Sequence, residues 1–173
     1  IPKRDWSSDV CSSDLDTVGA FTVTKVGGNE ADGVDDGKTL CYRCRMGQRP
    51  VVMVFARSAD EKLAKFVKEL EEEIEEHEDE KLSAFVNMIG TDADSLKKAA
   101  ADFVSKHGIT RVAFVVPTEN ANGPEDFRIA PDADLTVVCY KEGKVKANHA
   151  LAAGGLSDDK IEEIVEDSCE LAD

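Results

Sequence analysis

The chain has 173 residues, enough for one domain with a proper hydrophobic core. It carries 36 acidic against 21 basic residues, and a net charge of -15 argues against nucleic acid or an anionic membrane as partner, since both would repel it. No apolar run approaches the roughly 18 residues that a membrane-spanning helix needs.

Ile1 to Leu15 stand apart from the rest. Arg4 to Leu15 reads RDWSSDVCSSDL, a Ser/Asp-rich run that back-translates in frame to a common short-read sequencing adaptor. Twelve consecutive matches make chance a poor explanation, so residues 1–15 are expected to be a disordered artefact and are left out of fold reasoning. One domain then covers residues 16–173. The exclusion removes Trp6 and Cys11 and leaves Cys41, Cys44, Cys139 and Cys169. A signal peptide or lipoprotein anchor could have preceded Asp16.

Asp16 to Val26 alternates apolar and polar residues at Val18, Phe21, Val23 and Val26, which predicts an edge strand or hairpin arm. Gly27 to Lys38 is a loop with a tight-turn signal at Asp36-Gly37. Cys41-Tyr42-Arg43-Cys44 follows, a pair spaced to close a small disulfide ring or to contribute to a metal site. After the connector Arg45 to Pro50, the run Val51 to Phe55 predicts a strand covered on both faces.

A helix capped by Ser58 or Asp60 is predicted to run to about Lys81, with Leu63, Phe66, Val67, Leu70 and Ile74 on one apolar stripe. The acidic block Glu69 to Glu80 reads as its solvated face. Leu82 to Ile89 is a second buried strand. Asp92 or Asp94 starts a helix through His107, with Leu96, Ala100, Phe103 and Val104 inward and Gly108 as the stop. Val112 to Val116, Leu135 to Tyr140 and Lys144 to Ala150 are further strands; Pro117 to Pro131 is a loop, and Lys141-Glu142-Gly143 a turn. Leu156, Ser157 and Ile161 fit the staple, cap and fourth position of a last helix, whose stripe is Ile161, Ile164, Val165 and Cys169. Strands alternating with helices and closing on a hairpin predict an α/β fold: a central mixed sheet of about five strands with helices on both faces.

This layout resembles the thioredoxin-like fold in its redoxin branch of thiol peroxidases and thiol-disulfide reductases. The resemblance is carried by Asp16-Thr17-Val18-Gly19-Ala20-Phe21-Thr22-Val23, by Asp36-Gly37-Lys38, and by Arg49-Pro50 leading into Val51 to Phe55. Ser105-Lys106-His107-Gly108-Ile109 and Leu135 to Tyr140 with Lys141-Glu142-Gly143-Lys144 extend it over most of residues 16–173. Two departures stand out. The family places its attacking cysteine after the first core strand, where this chain has Ala56-Arg57-Ser58-Ala59-Asp60-Glu61-Lys62. The family's cis-proline before the late strand has no counterpart in Asp134-Leu135-Thr136, and Pro131 lies several residues too early.

Thiol chemistry would therefore rest on Cys41 and Cys44, displaced to the other side of a core strand, and expected at the sheet edge away from the usual site unless the loop from Cys44 to Pro50 reaches back. Arg43, Arg45 and Arg49 surround them, and nearby cations favour a thiolate. Two functions are carried forward: a thiol-disulfide oxidoreductase of redoxin type, and a non-catalytic thioredoxin-like binding or structural module whose CxxC is a local disulfide. No cofactor is expected. Nor is a metal site, because a structural zinc centre commonly takes two such pairs and His107, His149 and Cys139 are scattered. Cys139 and Cys169 are expected to pack in the core, His77 to be solvated, and His107 to sit favourably at a helix C-terminus. The resemblance implies a protein thiol or disulfide partner and slightly favours an exported or periplasmic setting over a cytoplasmic one. It leaves the oligomeric state open.

Overall fold

The computed structural model describes residues 22–28, 34–42, 49–57, 61–79, 81–90, 92–117, 134–141, 144–151 and 157–172. Its elements in chain order are β1 (Val23–Gly27), β2 (Thr39–Leu40), β3 (Val51–Ala56), α1 (Glu61–Glu76), β4 (Ser83–Met88), α2 (Ala93–His107), β5 (Ala113–Pro117), β6 (Leu135–Lys141), β7 (Lys144–Leu151) and α3 (Asp158–Ala172). They form one mixed seven-stranded sheet in the order β2-β1-β5-β4-β3-β6-β7.

The sheet is built outward from β3, whose six residues are all buried. It pairs in parallel with β4 from Val51↔Ser83 to Ala56↔Met88, and antiparallel with β6 from Val51↔Tyr140 to Ala56↔Leu135. The unbroken apolar run in the sequence reflects this burial on both faces. Alternate residues supply two apolar layers. Val52, Val54 and Ala56 join one with Leu63, Phe66, Leu70, Phe103, Ile161 and Ile164, so α1, α2 and α3 all pack on that face. The crossovers β3-α1-β4 and β4-α2-β5 step in the same direction, and right-handed crossovers that do so leave their helices on one side. Val51, Met53 and Phe55 join the other layer with Phe85, Val115, Tyr140 and Tyr42. The expectation of helices on this second face falls outside the described residues.

The expected sheet of about five strands becomes seven. Thr39–Leu40, between the predicted loop that ends at Lys38 and Cys41, is a strand that the sequence pattern does not predict, because a two-residue ladder is too short to carry an alternation. The first predicted arm is seen as Val23–Gly27, antiparallel to β5; Asp16 to Phe21 and residues 1–15 lie outside the described residues. The first long helix stops at Glu76 rather than Lys81, and Lys81 takes a left-handed backbone with φ of 62° as the chain turns into β4.

Three helix ends are legible from caps. Asp92 accepts from the backbone N–H groups of Asp94 (3.1 Å) and Ser95 (3.4 Å), and Gly108 closes α2 in the left-handed region. Hydrogen bonds from the Ser95 side chain and backbone hold the Asp92 carboxyl below its usual pKa. At α3, Ser157 Oγ accepts from the Lys160 N–H at 3.3 Å. The proposed caps Ser58 and Asp60 are outside the described residues.

The acidic block is not uniformly solvated. Glu71 is buried, and its Oε2 accepts the backbone N–H groups of Thr110 (2.8 Å) and Arg111 (2.6 Å), fixing the chain that enters β5. The Glu71→Ala variant is expected to lose about 1–3 kcal/mol in denaturant unfolding, because two amides lose their acceptor. Glu71→Gln retains an acceptor and should recover most of that loss. A Glu71→Ala variant within about 0.5 kcal/mol of wild type would contradict this role.

Helices α1 and α3 run side by side in the same direction. At their N-terminal ends Lys62 and Lys65 reach Asp158 Oδ1 at 3.2 and 3.0 Å. Hydrogen bonds from Lys65 and then Lys62 lower the Asp158 pKa. A carboxyl with a depressed folded-state pKa stabilises above its unfolded value and loses that effect as pH falls through the folded one. Asp158→Asn should therefore lower the unfolding midpoint slightly near neutrality. The difference should shrink in high salt and vanish in acid below the carboxylate range; a difference that persisted there would contradict the linkage.

Candidate active site

The parallel strands β3, β4 and β5 end together, and two backbone hydrogen bonds close that end. The Arg57 N–H donates to the Asp134 carbonyl at 3.0 Å, and the Asp134 N–H to the Leu151 carbonyl at 2.7 Å. Neither Arg57 nor Asp134 offers a thiol, and no described peptide bond is cis. Ser58 to Asp60 and Pro131 are outside the described residues.

Cys41 follows β2 directly. Because β2 is antiparallel to β1, and β1 to β5, β2 runs in the same direction as β3. Phe55 is level with Asn87, Asn87 with Val115, and Val115 with Lys25. Two positions further on, Pro117 is level with Val23 and Val23 with Leu40. Cys41 therefore emerges at the same end of the sheet as Arg57, as well as at the predicted edge. Four strand spacings separate β2 from β3, about 19 Å along the sheet.

The next side chain reaches inward. Tyr42 is 1% exposed, and its ring stacks on Phe85 of β4 with centroids 5.3 Å apart and planes inclined by 23°. β4 is the neighbour of β3, so the residue after Cys41 is already anchored near mid-sheet. Cys41 is half-buried and held in a disulfide whose partner lies outside the described residues; Cys139 and Cys169 are not disulfide-bonded. Of the cations thought to tune the pair, Arg49 is exposed, while Arg43, Arg45 and Cys44 itself are outside the described residues.

A row of buried polar side chains crosses the second face at the level of Phe55. Thr136 lies on one side of Phe55 and Asn87 on the other, with Lys25 beyond Val115. Asn87 Nδ2 donates to the Val54 carbonyl at 3.0 Å, and Lys25 Nζ to the Val34 carbonyl at 2.8 Å. Among the described residues, Asn87 Oδ1 and Thr136 Oγ1 have no hydrogen-bond partner. Sequence pattern alone does not reveal this row, since isolated polar residues in apolar runs are read as outward-facing.

Similarity to solved structures fits this architecture. A protein assigned as a thiol:disulfide interchange protein DsbE from Chlorobium tepidum superposes with a TM-score of 0.64 at 13% identity, over 91% of this chain and 95% of its own. The fold is thioredoxin-like. The thioredoxin domain of a thiol-disulfide oxidoreductase from Bacteroides vulgatus matches with a TM-score of 0.59 at 14% identity, over 88% of this chain and 95% of that one. A secreted Mycobacterium tuberculosis disulfide oxidoreductase matches at 0.57 and 16% identity, covering 85% and 95%. No family model matches the chain, and no curated protein does. No helix among the described residues is long and apolar enough to cross a membrane.

The remaining thiols divide. Cys139 is fully buried in β6, as expected, and burial, with the charge of Asp167, pushes its pKa up to about 12. It stays a thiol at neutral pH and is inert. Cys169 departs from the expected core packing: it is half-buried and contacts Glu73 and His77. His77, expected in solvent, has a side chain only 15% exposed. His149 pairs with Asp167 at 2.7 Å, between β7 and α3.

Tyr42, stacked on Phe85, is an anchor for the chain where it leaves β2. Tyr42→Ala should cost about 3–5 kcal/mol in unfolding free energy, as for other large buried aromatics. It should also speed alkylation of the reduced Cys41 thiol. Unchanged stability and labelling would contradict the anchoring role.

Proposed function

We propose that this chain is a thiol-disulfide oxidoreductase of the redoxin kind, with Cys41 and Cys44 as its dithiol in place of the cysteine missing after β3. The observation that carries the proposal is the position of Cys41, disulfide-bonded at the end of the sheet where the parallel strands finish. In the reducing direction, one thiolate attacks a sulfur of a substrate disulfide, forming a mixed disulfide and releasing one substrate thiolate. The second cysteine then attacks the mixed disulfide, freeing the other substrate thiol and closing the Cys41–Cys44 ring. Two electrons pass from the dithiol to the substrate, and the released thiolates take up the protons. Arg43, Arg45 and Arg49 favour the attacking thiolate electrostatically.

The partner is a protein thiol or disulfide. An exported or periplasmic setting suits this chemistry, because such compartments let disulfides persist. The Mycobacterium tuberculosis neighbour is itself described as secreted. Ile1 to Leu15 form no part of the proposed domain, which covers residues 16–173.

A second reading follows from the stretch after β3, which has no cysteine: a thioredoxin-like module that binds without catalysing and keeps Cys41 in a local disulfide. Turnover separates the two. Insulin reduction with a dithiol reductant should be measurable for wild type and abolished in both Cys41→Ser and Cys44→Ser. Full activity in both variants, or none in wild type, would leave the non-catalytic module.

A further inference from the structure

Glu73, His77 and Cys169 offer three different donor atoms that converge on one point. His77 Nε2 lies 3.1 Å from Cys169 Sγ, Cys169 Sγ lies 3.1 Å from Glu73 Oε2, and Glu73 Oε2 lies 3.5 Å from His77 Nε2. Glu73 and His77 sit four residues apart at the end of α1, and Cys169 comes from the last turns of α3, 92 residues beyond His77. This is the opposite end of the α1–α3 pair from the Lys62, Lys65 and Asp158 cluster.

Two chemistries use these residue types. In a nucleophilic relay the carboxylate holds the imidazole nitrogen remote from the thiol. Here thiol and carboxylate face the same nitrogen, Nε2, and also each other, so no relay direction exists. A metal site demands this convergence. With zinc bond lengths of about 2.3 Å to sulfur and about 2.0–2.2 Å to nitrogen and oxygen, two ligands of a tetrahedral ion stand about 3.4–3.6 Å apart. The observed edges of 3.1, 3.1 and 3.5 Å are within about half an ångström of that triangle, the two edges to sulfur being the short ones.

We propose that Glu73, His77 and Cys169 form a binding site for a borderline divalent cation of the zinc class. Thiolate and imidazole donors select such an ion over magnesium or calcium, which prefer an all-oxygen set. Among the described residues three protein ligands converge, which leaves a fourth vertex for a further ligand such as water, and the side chains of His77 and Glu73, 15% and 18% exposed, leave the ion a way in. On binding, Cys169 gives up its thiol proton to solvent and neutral His77 donates its Nε2 lone pair, so binding releases a proton and weakens in acid. The ion ties α3 to α1 and stabilises the native state by mass action. The acidity of the chain draws cations towards it. Sequence spacing hides the site, because its third ligand is on another helix.

The test is a Co2+ titration of the full chain after reduction and chelator treatment, followed through the thiolate-to-cobalt charge-transfer band, with Zn2+ as competitor. The expected result is one Co2+ per chain, displaced by Zn2+. The band should survive in the Cys41→Ser/Cys44→Ser double variant and disappear in Cys169→Ser, with affinity at least tenfold weaker in His77→Ala and Glu73→Gln. Far-ultraviolet circular dichroism checks that each variant is folded, and Glu73→Gln preserves side-chain volume. Zn2+ should raise the thermal midpoint of wild type and of the double variant but not of Cys169→Ser. No thiolate band at micromolar Co2+ would overturn the proposal, as would a band that survives Cys169→Ser and is lost with Cys41 and Cys44.

Discussion

Strand β3 is the constraint on which the rest of the structure depends. Its six buried residues pair without interruption to β4 on one side and β6 on the other, in a shared register. A one-residue slip would exchange its two faces and put Val52 and Val54 where Met53 and Phe55 belong. The parallel crossovers, the closing hairpin and the helix layer all take their places from that register.

The same register decides what the cysteines can do. It places the end of β3, where redoxin chemistry ordinarily happens, against Asp134, and the sequence offers no thiol there. It also makes β2 finish at that end of the sheet, two residues before Tyr42 stacks on Phe85. The dithiol proposed at Cys41 and Cys44 asks for no change in the sheet. Fold and activity are separable here: the sheet does not need the cysteines, whereas the proposed chemistry needs little else.

Much of this was legible in the sequence because its signals are local. Val51 to Phe55 announced a doubly covered strand, Asp92 and Gly108 bracketed a helix, and Ser157 marked the start of the last one. What escaped depended on contacts distant in the chain. Thr39–Leu40 is a strand only because β1 lies beside it, and Glu71 points inward only because Thr110 and Arg111 present N–H groups to it. Read from its own stretch of sequence alone, Cys169 falls on an apolar stripe and His77 in an acidic helix end. Their meeting required the packing of α1 on α3. The direction of β2 was likewise invisible until its pairing with β1 was known.

The central claim is that the disulfide at Cys41 is a redox couple in use rather than a permanent staple. Equilibrating the chain with glutathione buffers and following the Cys41 thiol by alkylation measures its reduction potential directly. The account predicts a value in the range of working oxidoreductases, between about -270 and -120 mV. A potential below about -300 mV, the range of structural disulfides, would contradict it.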